Sequence, residues 1–332
     1  MNESSHSRNS VAPAAVDGTK STVQTLLLCG PAGSGKTYHC LEAVKAELRT
    51  APDGPPLIWL APKQSTFQLE RQILADPSIP GYTRLHILSF ERLAAFVLAH
   101  FGVPAPQLLG EDGRCMVLRN LLGRLHGELH LFRASARLNG FARQLSLALH
   151  ELQREQLTPE SLRDLASKAS GSEGVGPKLM DLALLLERYQ AWLGSHNLID
   201  AGSLLTVAAE AARAGHSTPP SQSGSTLCAS LWVDGFMDWS SQEWDLIEAI
   251  IPLCPAVTLT FCLDSTTATP CDWLSQELVV QRNFLRARDR LVKLEGVQVQ
   301  TKLLSRHPAG RFGSSPVLTF LEQGCAFPQA AP

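Results

Sequence analysis

The 332-residue chain has no uninterrupted apolar run near the ~20 residues that a membrane-crossing helix requires, which excludes a protein built on transmembrane helices. It has almost no net charge. With 29 Lys+Arg against 31 Asp+Glu, a formal charge of -2 gives no global field to draw in nucleic acid or an anionic membrane, so any DNA contact must be local. Charged residues make up only 18%, below the roughly 25% of an average soluble domain. The eight cysteines (Cys29, Cys40, Cys115, Cys228, Cys254, Cys262, Cys271 and Cys325) include no C-x-x-C pair, which argues against a zinc or dithiol redox site. Several lie in apolar stretches such as Leu26-Leu27-Leu28-Cys29 and Phe261-Cys262-Leu263, where a thiol is expected to pack as a small buried hydrophobe. The N-terminus, MNESSHSRNSVAPAAVDGTKS, lacks the apolar core of a secretory signal, and the expected compartment is the reducing cytoplasm.

What is present is an alternation of strand and helix patterns. Five short apolar runs have strand character: Val23–Cys29, Leu57–Ala61, Arg84–Ser89, Leu231–Asp234 and Val257–Leu263. Each is followed by a turn signal or a helical pattern, the rhythm of a mostly parallel α/β sheet. Between the third and fourth the periodicity is helical: Met116, Leu118, Leu121, Leu122 and Leu125 form one series, and Leu179, Leu182, Leu185, Leu186 and Tyr189 another. Gly171 to Pro177 is expected to break these helices, and His216 to Gly224 reads as a return loop. No internal repeat is visible. The expected organisation is a disordered leader (1–22), the first part of an α/β domain (23–103), an all-helical insertion (104–224), the second part of the α/β domain (225–300) and a Pro/Gly/Ser-rich tail (301–332).

Gly30-Pro31-Ala32-Gly33-Ser34-Gly35-Lys36-Thr37 satisfies G-x-x-x-x-G-K-S/T between a strand and a helix. Glycines let backbone N–H groups wrap a phosphate, and the helix N-terminus adds a favourable dipole. Lys36 would reach the β- and γ-phosphates of ATP, and the Thr37 hydroxyl would ligate Mg2+. Asp234, at the end of the Leu231-Trp232-Val233 strand, is the candidate carboxylate for the same ion. Many ATP-hydrolysing helicases place Glu directly after this Asp, but here Gly235 follows. Glu243 or Asp238 could substitute only if the next turn brings one back. Nucleotide binding is thus better supported than rapid hydrolysis. Lys36 and Asp234 are 198 positions apart, a gap that the helical insertion explains. No N-K-x-D guanine signature is present.

Three further segments accompany this loop: Leu57-Ile58-Trp59-Leu60-Ala61-Pro62-Lys63-Gln64-Ser65-Thr66-Phe67-Gln68-Leu69-Glu70, Leu85-His86-Ile87-Leu88-Ser89-Phe90-Glu91-Arg92-Leu93-Ala94, and Val233-Asp234-Gly235-Phe236 continuing to Glu243. The ordered set resembles the N-terminal helicase-like region of the AddB/RexB subunit of AddAB/RexAB bacterial helicase–nucleases, relatives of superfamily 1 helicases, from about Thr25 to Asp264. Gly140-Phe141, Lys178-Leu179 through Tyr189 and Asp200 fall in the expected order within the insertion. The resemblance implies a RecA-like P-loop NTPase sheet interrupted by a helical insertion. It also implies a role in processing double-strand breaks for recombination alongside a motor-active AddA/RexA-type subunit. In that family the helicase-like part of the AddB/RexB subunit is not the main motor and helps to recognise a regulatory sequence in single-stranded DNA. Gly235 fits the family pattern. The family's nuclease and iron–sulfur cysteines have no counterpart between Val257 and Pro332, and only one RecA-like domain can be placed, so full helicase activity is not expected of this chain.

Loops at the C-terminal ends of parallel strands collect on one sheet edge, where open α/β folds bind ligands. This makes Gln64, Ser65, Thr66, Phe67, Ser89 and Phe90 the candidate DNA contacts. Gln64, Ser65 and Thr66 could hydrogen-bond phosphates, and Phe67 or Phe90 could stack on a base, unless both rings anchor the following helices in the core. Within the insertion, between positions 114 and 149, Arg114, Arg119, Arg124, Arg133, Arg137 and Arg143 face only Glu128, a local excess of five positive charges that could track a DNA backbone, form a solvated surface or meet a partner subunit. His126, His130 and His150 are expected to face solvent rather than bind metal. Two other function classes fit parts of the pattern: a self-sufficient P-loop ATPase or small-molecule kinase, and a non-catalytic structural subunit that binds an AddA-type partner.

Overall fold

The structure, a computed structural model, describes residues 22–138, 140–169, 174–216, 226–266, 276–305, 315–318 and 320–321. The expected leader, most of the expected return loop, part of the expected helix break, Cys271, Cys325 and most of the expected tail lie outside the described residues. In chain order the elements are β1 (Val23–Gly30), α1 (Lys36–Thr50), β2 (Leu57–Leu60), α2 (Thr66–Leu74), β3 (Leu85–Leu88), α3 (Phe90–His100), β4 (Leu108–Leu109), α4 (Glu111–Arg124), α5 (Phe141–Arg154), α6 (Pro159–Lys168), α7 (Val175–Ser195), β5 (Ile199–Asp200), α8 (Leu204–His216), β6 (Ser230–Val233), α9 (Ser241–Ile250), β7 (Ala256–Cys262), α10 (Gln276–Leu291) and β8 (Val297–Leu303).

The main sheet is parallel throughout, in the order β3-β2-β6-β7-β1-β8. Its inner strands read as near-continuous apolar runs because both faces are covered. Successive side chains alternate between faces. Ile58, Leu60, Leu231, Val233, Leu259 and Phe261 therefore join one core with α3, α8, α9 and α10, while Leu57, Trp59, Ile87 and Trp232 join the opposite core with α1 and α2. The chain leaves β1 on one side to build β2 and β3, and flanks β1 on the other with β8. The crevice outside the strand C-termini at such a reversal is where open α/β sheets place ligands.

The fold is the α/β sheet with inserted helices that the resemblance implied. The insertion has its own core, formed by α4, α5, α6 and α7 around Leu118, Leu122, Leu149, Leu185, Leu186 and Tyr189. Four details differ from expectation. Helix α8 lies within the span assigned to the insertion, yet Leu204, Leu205, Ala208, Ala209 and Ala212 pack in the sheet's core. Strands β4 and β5 form a two-residue parallel pair, so the insertion is not purely helical. The tail was expected from 301, but β8 runs through Leu303, pairing along the length of β1. Its Gln298, Gln300, Thr301 and Lys302 are exposed at the sheet's edge, so the run carries too little apolar signal to read as a strand. Gly176 and Pro177 lie inside the first turn of α7 rather than before it, where proline's missing N–H leaves no helical bond unmade.

Candidate functional site

The phosphate loop links β1 to α1, with Gly33 and Gly35 in the left-handed region at φ 79° and 92°. A side chain at Gly30 would collide with Ser34 Oγ and stand 3.1 Å from the backbone oxygen of Leu304. Loop and strand end are therefore closed tightly around this glycine. The first turn of α1 carries no acidic residue and no side-chain cap, leaving its N-terminal dipole open to an anion. Lys36 Nζ donates to the carbonyl oxygens of Gly30 and Pro31, each at 2.7 Å. The buried Ser34 hydroxyl has no hydrogen-bond partner.

Thr37 Oγ1 donates to Asp234 Oδ2 at 2.7 Å across 197 positions of sequence. The sheet makes this approach possible, because β7 alone separates β1 from β6. The other carboxylate oxygen, Oδ1, accepts from Thr260 Oγ1 at 2.5 Å. Asp234 and Thr260 are both buried. Thr260 escaped the sequence reading, although its place near the end of the strand between the two motif strands was a usable signal once strand order was known.

Mg2+ is bound by hard oxygen donors, commonly one or two carboxylates completed by substrate phosphates and water. The Thr37 hydroxyl and Asp234 carboxylate fit that donor set, and the unpartnered Ser34 hydroxyl fits a phosphate acceptor. No group of three or more His, Cys, Asp or Glu side chains suited to a metal occurs among the described residues. Cys262, expected to be buried, is exposed at the end of β7 beside Gly30, whereas the buried thiols of Cys29 and Cys40 are poor nucleophiles. Burial pushes Cys29 up to about 11 against the opposing charge of Lys36, and burial together with the Asp234 charge raises Cys40 further.

Gly235 has φ 88°, and a Cβ there would stand 3.1 Å from Pro62 Cδ, so the residue after Asp234 makes a left-handed turn against the loop following β2. The acidic side chains that follow this turn bond within their own segment. Glu243 is committed to a capping box, accepting at 2.7 Å from the Ser240 backbone and at 2.9 Å from its hydroxyl. Asp238 accepts from the Trp239 backbone at 2.9 Å.

The six candidate DNA residues divide sharply. Phe90 is 5% exposed and meets Phe236 edge-on at 5.2 Å in the sheet's core. Ser89 is buried and donates to Glu91 at 2.8 Å, while Glu91 also pairs with Lys63 at 3.0 Å and ties the two loops together. Neither Ser89 nor Phe90 presents a free surface to a nucleic acid. Ser65 and Thr66 each donate at 3.0 Å to a carbonyl of their own turn, Pro62 and Lys63 respectively. A hydroxyl has one proton to give, so contacting a phosphate requires breaking those bonds. Gln64 is exposed, and Phe67 is 67% exposed.

The family described as "ADDB, N-terminal" matches residues 27–322. The chain belongs to the AddB N-terminal family. It is 35% identical over 300 residues to the B-type subunit of the "ATP-dependent helicase/deoxyribonuclease" of Desulforudis audaxviator, covering 89% of this chain and 25% of that protein. It is similarly 35% identical over 273 residues to the protein of the same name from Heliobacterium modesticaldum, covering 80% and 21% respectively. The chain thus spans about a quarter of the length of these curated AddB-family relatives.

In this AddB-family segment the arginines of the insertion do not form one face. Arg114 is 5% exposed, bonded to Gln153 at 2.8 Å and paired with the fully buried Asp200 at 3.4 Å. Gln153 and Ser203 also donate to Asp200, and the Arg114 guanidinium lies 5.4 Å from the centre of the Tyr189 ring. His150 is half-buried and stands 3.5 Å from Arg114, not facing solvent as expected, and burial and the Arg114 charge lower its pKa. Arg133 bonds carbonyls of its own loop, at His126 and Gly127. Arg119, Arg124, Arg137 and Arg143 remain exposed. Arg119 and Arg143 line a cleft of about 620 Å³ with Glu111, Asp112, Cys115 and Met116, on the insertion rather than at the phosphate loop. No described helix is long and apolar enough to cross a membrane.

Proposed function

We propose that this segment binds Mg2+–ATP at the phosphate loop and single-stranded DNA along the strand-end surface, as the helicase-like part of a helicase–nuclease that works with an AddA/RexA-type subunit in recombinational repair of double-strand breaks in the cytoplasm. The approach of Thr37 to Asp234 carries the nucleotide half of this reading, since two distant motifs meet at hydrogen-bond distance with the hard oxygen donors that Mg2+ takes. Lys36 would exchange its two loop carbonyls for phosphate oxygens, Ser34 and the loop N–H groups would supply further donors, and Thr37 with Asp234 would hold the ion. Bound Mg2+ would neutralise phosphate charge. The commitment of Glu243 to its cap and the turn at Gly235 favour binding with slow turnover, because neither brings a carboxylate to orient an attacking water.

Fluorescent-ATP titration of the chain and of Lys36→Ala tests the site: the variant should lose Mg2+–nucleotide binding, and unchanged affinity would overturn the assignment. For DNA, Gln64 and Phe67 are the residues best placed to act. Binding of a fluorescent single-stranded oligonucleotide should weaken with Phe67→Ala and with rising salt, and an interaction indifferent to both would refute this surface.

A further inference from the structure

Strand β7 lies between the strand that leads into the phosphate loop and the strand that ends at Asp234, and its pairing is in register with both. Val233 pairs with Leu259 and Leu28 with Thr260, so the next residues, Asp234 and Thr260, stand beside one another at the same end of the sheet. In-register neighbours on parallel strands share a face. Leu259 and Phe261 turn toward the core that holds α3 and α9, so Thr260 turns to the opposite side, where α1 packs. There its hydroxyl meets Asp234 Oδ1 at 2.5 Å. Thr260 is 5% exposed and Asp234 7%.

A carboxylate with both oxygens free can rotate and offer either one. Here Oδ1 is held from the β7 side and Oδ2 from the α1 side, so the group is fixed in one orientation with Oδ2 toward Thr37. Two hydroxyls thus grip one carboxylate, with different prospects. Thr37 belongs to the phosphate loop, and its oxygen is itself a candidate ion ligand. Thr260 is set back in the strand, and its single proton is already committed to Asp234.

We propose that Thr260 is a positioning residue for the magnesium site: it holds the Asp234 carboxylate in the orientation that presents Oδ2 to an ion shared with Thr37, and so sets the Mg2+ affinity of the nucleotide complex. This rests on the magnesium–nucleotide reading above. It assigns Thr260 no contact with ATP, so nucleotide binding without the metal does not depend on the hydroxyl.

The test is a fluorescent-ATP titration of the full chain in EDTA and across a series of MgCl2 concentrations, with thermal melting to confirm folding. Thr260→Val, which keeps the shape and removes the hydroxyl, should raise the half-saturating Mg2+ concentration by about ten-fold, the scale of one hydrogen bond to a charged group. Its affinity in EDTA should stay at the wild-type value, and Thr260→Ser should restore the Mg2+ dependence. Wild-type Mg2+ dependence in Thr260→Val would overturn the proposal, as would an equal loss with and without the metal, which marks a merely structural residue. Should the valine variant not fold, Thr260→Ala is read for the same quantities with the same outcomes. Wild-type chain that binds no nucleotide in either condition would overturn the underlying nucleotide reading and the proposal with it, a result distinct from failure of Thr260 alone.

Discussion

In the sheet, Asp234 and Thr260 become neighbours because parallel strands in register carry successive residues to the same edge. In the insertion, Arg114 and Arg119 share one helix, yet Arg114 is buried against Asp200 and Arg119 lies in solvent. Closeness along the chain therefore says little about a shared surface on a helix, where a few positions rotate a side chain from one environment to the other. Arg114 precedes Leu118, Leu121 and Leu122 on the buried stripe of α4, so the helical spacing already placed it inward. The sheet gathers Thr37, Asp234 and Thr260 at one end beside the glycine loop, whereas the insertion spends several polar groups of its own, Arg114, Gln153, Asp200 and His150, in holding α4, α5 and β5 together.

The most severe way to break this contrast is to remove one charge from the buried network. Asp200→Asn keeps the side-chain shape but leaves the Arg114 guanidinium without its counter-charge. Removing one partner of a buried pair costs about 3–5 kcal/mol, and urea unfolding should show a loss of that order. Molecules that remain folded should bind nucleotide as before, since the network does not touch the phosphate loop. A loss below about 1 kcal/mol would mean that water compensates Arg114 and that the network is no more than a surface pair.

The two phenylalanines sharpen the comparison within the strand-end loops. Phe90→Ala should cost about 3–5 kcal/mol of stability because it empties space against Phe236 in the sheet's core. Phe67→Ala should leave stability within about 0.5 kcal/mol, as expected of an exposed site, while weakening single-stranded DNA binding by about 1–3 kcal/mol if a base stacks on the ring. Equal effects of the two substitutions on unfolding would contradict this division. Of smaller effect again, replacing Arg119, Arg124, Arg137 and Arg143 together should flatten the salt dependence of DNA binding with little change in stability. An unaltered salt slope would remove these residues from any phosphate-tracking role.

Much of this arrangement was legible in the sequence. The first five major strands, the interrupting helices and the phosphate loop follow from apolar runs, helical spacing and a glycine pattern with a mechanism. The pairing of Thr37 with Asp234 was anticipated by motif logic, although only strand order could place Thr260 beside them. Strand β8 escaped notice because an edge strand need not be apolar. The fates of Ser89 and Phe90 were also hidden. A serine or phenylalanine just after a strand can face the ligand edge or the core, and the choice depends on partners far away in sequence, here Phe236 for the ring. The DNA reading therefore narrows to Gln64 and Phe67, with Ser65 and Thr66 available only at the expense of their turn bonds.

The smallest expected effect separates the two regions by pH. Burial followed by a nearby positive charge lowers the pKa of His150 in the insertion, through Arg114, and of His39 beside the phosphate loop, through Lys302. His86 is lowered in the same manner by burial and Arg92. For each, the unfolded chain begins to take up a proton near the ordinary value of 6.5 while the folded chain still resists it. More protons bound by the unfolded state mean that stability rises with pH in this window and is lost as pH falls below that value toward the folded pKa. Unfolding by denaturant at about pH 7.5 and about pH 5.5 should therefore give lower stability in acid, and both His150→Gln and His39→Gln should reduce the difference. If the insertion's network is the more sensitive region, His150→Gln will remove the larger share, since its ring stands 3.5 Å from a guanidinium that is itself buried. A pH difference untouched by His150→Gln would show instead that the network tolerates a second positive charge, and would shift the acid sensitivity to the sheet.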